Sequence, residues 1–163
     1  MDSSIMFSEL LRYTEIETAR WKEWFLSHLQ ALEVPCDVAG VANIKGLLLH
    51  IFGNELYFAH ALLELPQPDW EKLPSTIVTV ENLFGLADEA HRQLTEFIHK
   101  AEPPDWDSIK ELGFSNLKAS KRKMLAQTLL HALHHRAQLA MLLRQHGFAD
   151  LWIHDVILSD VMG

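Results

Sequence analysis

Apolar positions recur at helical spacing in four long stretches free of internal proline, and no strand-like alternation competes with them. The first runs from about Ser3 to Leu32, with Leu10, Trp21, Trp24 and His28 on one side at a 3.6-residue period, and Pro35 ends it. The second spans about Val41 to Leu65 and is stopped by Pro66 and Pro68. The third starts at Thr79, an N-cap residue followed by Glu81 in the first turn, and stops before Pro103 and Pro104. The fourth starts near Ser120 and ends at Gly147, where a helix C′ glycine belongs. This predicts an all-α four-helix bundle forming one domain over residues 1–163, with a short connection near 33–40 and longer ones near 66–78 and 102–119. The tail FADLWIHDVILSDVMG is apolar enough to pack back as a short C-terminal helix.

Composition narrows the function classes. The 163 residues are 48% hydrophobic with only 7 Gly and 6 Pro, enough for one continuous core and unlike any low-complexity chain. Fourteen basic against 22 acidic side chains give a formal charge of −8, which disfavours binding to nucleic acid. The single cysteine, Cys36, makes no intrachain disulfide and has no obvious activating neighbour. No apolar run approaches the roughly 18–20 residues of a membrane span. The start MDSSIMFSELL has no basic segment ahead of an apolar one. The expectation is a cytoplasmic protein with no membrane or nucleic-acid partner.

Ten histidines are many for this length. His91 and His99, among Glu, Arg, Gln and Lys, read as solvated surface. His146 beside Gly147 complements the negative end of the fourth helix, and His154 lies in the tail. His131 and His135 differ. They sit in AQTLLHALHHRAQLAMLL, four apart and so one turn apart on one face, where both imidazoles can reach one ion. Met124 and Leu142 share their stripe, which should face the core, and buried imidazoles need partners. A metal would satisfy both; hydrogen bonds to neighbouring polar groups are the alternative. His134 lies about 60° off that stripe, at an edge or orienting a ligand histidine. His50, in IKGLLLHIFGNELYFAHALL, is the third candidate, flanked by Gly46 and Gly53, which make room for a neighbouring helix or for a ligand. His60, about 80° around the same helix, does not easily join it.

At these residues the sequence resembles the DinB family of four-helix proteins. The resemblance rests on His50 in LLLHIFGNE and on the segment LLHALHHRAQLAMLLRQHG, with His131, His135, Arg136, Ala137, Gln138 and Gly147, and it covers essentially the whole chain. Ala137 stands where many relatives have glycine. The resemblance implies a divalent ion, zinc or nickel, on His50, His131 and His135. It also implies a bundle with a long crossover connection, and a homodimer.

Three neutral imidazoles leave a coordination position open. It can hold water and favour hydrolysis, or hold a thiol and favour the attacking thiolate. Thiol-group transfer, with a low-molecular-weight thiol and a small-molecule substrate, is what the resemblance implies. A non-catalytic ion tying the second helix to the fourth, or a plain helical dimer, is the alternative. Glu17, on the apolar stripe of the first helix, either reaches the metal pocket or snorkels to water. Tyr57 and Gln138 either line the pocket or pack. Arg136 either holds an anionic substrate or pairs with an acid on another helix. Lys118, Lys121, Arg122 and Lys123 form a basic cluster at the start of the fourth helix, read as a solvated end. Trp21 and Trp24 belong to the core or a dimer contact, and Trp70, Trp106 and Trp152 cover bundle ends.

Overall fold

The computed structural model describes residues 6–113, 116–148 and 151–161. The expected helix start at Ser3 and parts of the expected tail helix (149–150 and 162–163) lie outside these residues. Four long helices dominate: α1 (Phe7–Ser27), α2 (Ile44–Leu63), α4 (Val80–Lys100) and α6 (Lys121–Gln145). Two short ones, α3 (Leu73–Thr76) and α5 (Pro103–Asp107), lie in the connections.

Local chemistry sets the boundaries. The Asn43 side chain accepts the Gly46 N–H, Thr79 that of Asn82 and Ser120 that of Lys123, so three helices begin on side-chain caps. Gly147 adopts φ +89° after the last turn of α6, the left-handed conformation that suits a glycine. α1 ends earlier than its periodicity predicts, because residues Leu29–Glu33 tighten into a 3₁₀ turn.

α1 packs mainly on α4 and α6, and α2 packs on the same two helices. Consecutive helices α1 and α2 therefore occupy opposite corners, and so do α4 and α6. This is a bundle with crossover connections rather than simple up-and-down order. The first diagonal step uses residues 28–43, which include two 3₁₀ turns and an antiparallel bridge between Pro35 and Asn43. The second carries an element absent from the helical pattern. Strands β1 (Ile109–Glu111) and β2 (Lys118–Ser120) pair antiparallel just before α6.

The core runs the length of the bundle in two clusters. Trp21, Phe25, Leu47, Ile51, Phe52 and Phe84 anchor one, and Leu11, Phe58, Leu94, Met124 and Leu125 the other. The tail does pack back, but its helical part is a single 3₁₀ turn, Val156–Leu158. Trp152 and His154 fix it against Trp21, with ring centroids 4.7 and 5.3 Å away. Among the described residues, no helix is long and apolar enough to cross a membrane.

Candidate metal centre

α2 and α6 lie side by side, and three of the ten histidines meet between them. The Nε2 atoms of His50 and His131 are 3.1 Å apart. The ring centroids of His50 and His135 are 4.9 Å apart, and those of His131 and His135 are 4.4 Å apart. One nitrogen from each ring falls within 4.8 Å of the others, so the three can hold one metal ion. Zinc–nitrogen bonds of about 2.0–2.1 Å at a tetrahedral centre would set such nitrogens roughly 3.4 Å apart. The observed cluster therefore needs only small side-chain shifts to chelate.

The electrostatics suit a cation. Burial, reinforced by the neighbouring His135 and His50, pushes the His131 imidazole down to about 4. Burial and then His135 lower His50 as well. Both rings are therefore neutral at pH 7 and keep a lone pair for a metal. Gln138, one turn along α6, accepts a hydrogen bond from His135 Nδ1 at 2.6 Å. That bond fixes the proton on Nδ1 and leaves Nε2 as the free donor atom. His131 Nδ1 is buried without a partner among the described residues. The stripe shared with Met124 and Leu142 does face the core, since those residues are 1% and 7% exposed.

His50, alone of the three, also lines a cleft of about 360 Å³ together with Leu49, Gly53, Asn54, Tyr57 and Trp70. A Cβ at Gly53 would meet Trp70 Cζ3 at 3.7 Å, an ordinary contact, so this glycine widens the cleft rather than permitting helix packing. Gly46 instead accommodates its own entry loop, where a Cβ would meet Val41 Cβ at 3.0 Å. Tyr57 lines the cleft, and its hydroxyl accepts the Gly113 N–H at 3.0 Å.

A second polar cluster is buried between the four long helices. Glu55 is 1% exposed and accepts from Arg136 Nη2 at 3.0 Å and from His91 Nε2 at 3.2 Å. Arg136 Nη2 also donates to Thr18 Oγ1 at 2.7 Å. Burial pushes the Glu55 carboxyl up, but the charges of Arg136 and His91 and their hydrogen bonds outweigh it and hold the pKa below the usual range. Arg136 thus takes the acid-pairing role rather than facing the metal cleft. His91 is not the solvated surface residue its sequence neighbours suggest, because it faces the core at 5% exposure. Glu55 was invisible to motif reasoning. Its spacing from Ile51 and Ala59 nevertheless places it on the core stripe of α2, where an acid requires a partner.

Glu17 neither reaches the histidine cluster nor snorkels. It is 3% exposed and ties down the tail, accepting from Trp152 Nε1 at 3.1 Å, from His154 Nδ1 at 2.5 Å and from Arg20 at 3.2 Å. Burial pushes its pKa up, and the hydrogen bonds from His154 and Trp152 more than reverse this. His154 therefore has a structural role that its place in the tail did not suggest. His60 bonds the Pro66 carbonyl at 2.6 Å and stays out of the cluster, as its angle predicts. His134 is exposed, 5.2 Å ring to ring from His135. The basic cluster is largely neutralised: Lys121 pairs with Glu64, Arg122 with Asp107 and Lys118 with Glu111.

No curated protein shows a significant match to the chain. A model of the DinB family matches residues 4–160, nearly the full length. The chain belongs to the DinB family.

Proposed function

We propose that the protein is a metal-dependent enzyme acting on a small molecule, with one divalent ion, zinc or nickel, held by His50, His131 and His135. The observation that carries this reading is the convergence of three imidazole nitrogens, two on neutral rings, beside an open cleft. When bound, the ion supplies Lewis acidity and a lowered pKa for a water or thiol at its open position. The protein's own residues do the rest. Gln138 holds the His135 ring in the ligating tautomer, and the buried Glu55–Arg136 pair keeps α2 and α6 in register so that His50 meets the other two rings. Trp70, Tyr57 and Leu49 line the cleft, and Asn54, beside them, has a side-chain oxygen that is buried without a partner among the described residues.

Two reactions fit an open site of three histidines: transfer of a thiol group, with a low-molecular-weight thiol as co-substrate, and hydrolysis. The cleft favours either over a purely structural ion, because a closed structural site has no accessible face. Untagged protein assayed for zinc and nickel, then for thiol consumption and ester hydrolysis with and without chelator, tests the reading. Chelator-sensitive turnover supports it, and a tightly held ion with no turnover would move it to the structural alternative.

We further propose a homodimer in the cytoplasm. Exposed apolar side chains at Leu26, Leu29, Ile157 and Leu158 support association. Light scattering on the purified chain checks it: a mass near twice 18.7 kDa is expected.

A further inference from the structure

A cavity of about 280 Å³ lies between α1 and α6. Its α6 wall, Leu133, Ala137 and Ala140, stands roughly 180° around the helix from His131 and His135 at 100° per residue. It is therefore separate from the metal cleft. Leu10, Leu129 and Leu133 make its walls mostly carbon.

Its polar lining comprises Tyr13, Thr14, Glu17, Arg136, Arg144 and His154, two of them arginines. Arg136 lines the cavity although its side chain is only 8% exposed. Its Nη2 is committed to Thr18 and Glu55, and among the described residues its Nε and Nη1 make no hydrogen bond. Arg144, exposed, stands at the rim. His154 closes the tail side, and its Nε2 is buried without a partner among the described residues. Glu17 is the acid in the lining, but Trp152, His154 and Arg20 already occupy its oxygens. A buried guanidinium with unused N–H groups facing an apolar cavity is a recognition element for a planar two-oxygen anion.

We propose that this cavity binds a small amphiphilic carboxylate. Its apolar part lies against the leucines and its carboxylate bridges Arg136 and Arg144. At protein packing density the volume holds roughly 10–14 non-hydrogen atoms. That is the size of a medium-chain fatty acid or a small aromatic acid.

Octanoate titrated calorimetrically into the full chain is the probe, with octan-1-ol as the uncharged control. Octanoate is expected to bind with about one-to-one stoichiometry and a Kd of roughly 100 µM, and the alcohol about tenfold more weakly. Ala137→Trp, on an exposed position that fills the cavity, should abolish binding while leaving bound metal and the thermal midpoint unchanged. Arg144→Gln should weaken octanoate by roughly fivefold and leave the alcohol unaffected. No octanoate binding at millimolar concentration would overturn the proposal, as would equal binding of acid and alcohol, or undiminished binding by Ala137→Trp. Failure of octanoate to bind together with dissociation of a dimer by Ala137→Trp would also overturn it, and would assign the cavity to a second copy of the chain. None of these readouts depends on a metal-dependent reaction.

Discussion

The cluster around Glu55 and the cluster of His50, His131 and His135 share helices α2 and α6, yet they use their hydrogen-bonding capacity in opposite ways. Glu55 is 1% exposed and accepts hydrogen bonds from Arg136 and His91, and Arg136 also donates to Thr18. The three imidazoles are only half-buried, carry no compensating acid within bonding distance, and leave His131 Nδ1 unpartnered among the described residues. The carboxylate of Glu55 is fully engaged, so this cluster offers a cation nothing and serves to fix helices in place. An unsaturated one, with two rings held neutral by burial and by one another, is ready for a cation. The contrast separates the part of the interior that builds the bundle from the part that can take a cation.

The largest expected effect tests the structural side. Glu55→Ala removes the only acid paired with Arg136 among the described residues, and a buried charge left unpaired costs roughly 3–5 kcal/mol. The thermal midpoint should fall by about 10 °C or more. His131→Ala should shift the midpoint of the metal-free chain far less, because among the described residues the hydrogen-bond partner of that ring is His50 alone. Equal losses in the two variants would erase the distinction.

Second in size is the effect of Gln138→Ala. It frees the His135 ring without touching a ligand, so divalent-ion affinity should drop about 10–100-fold with folding intact. Competition against a chromophoric chelator measures it. An unchanged affinity would mean that Gln138 is not what orients His135.

The pH dependence of the metal-free chain is a third, smaller test. In the folded chain His131 titrates near 4, below the ordinary histidine value of 6.5. Between those values the unfolded chain binds the extra proton, so stability is complete above about pH 6.5 and declines as pH falls toward 4. The lowered His50 adds to the same trend. Glu55 and Glu17, whose pKa values are lowered, withdraw their contribution only at more acidic pH. Denaturation midpoints of wild type and His131→Asn at pH 7 and 5 should converge as pH drops. Parallel curves would contradict the burial of a neutral ring.

The smallest effect concerns the tail. Glu17→Gln weakens the bonds to Trp152 and His154 and should cost about 1–2 kcal/mol. Faster proteolysis within residues 151–161 is the readout.

Much of the bundle is legible in the sequence because proline stops and a 3.6-residue apolar period are local signals. Thr79 and Ser120 mark helix starts, and Gly147 a helix end, through their own backbone chemistry. The histidine trio is legible from similarly local signals: His131 and His135 share one helical face, His50 stands between Gly46 and Gly53 in an apolar segment, and the family resemblance joins the three. What escaped reading depends on contacts distant in sequence. His91 looks solvated beside Glu, Arg and Gln, although its spacing of four from Ala87 and three from Leu94 puts it on the buried stripe. Glu17 finds its partners 135 and 137 residues away, in a tail with no helical period. The β1–β2 hairpin is only three residues per strand, too short to show alternation.

Metal stoichiometry in untagged wild type and in His131→Ala, after reconstitution with zinc and gel filtration, tests the central claim most directly. The account predicts about one ion per chain in the wild type and almost none in a variant that remains folded. A wild type that retains no zinc or nickel, or a His131→Ala chain that keeps its ion, would contradict it.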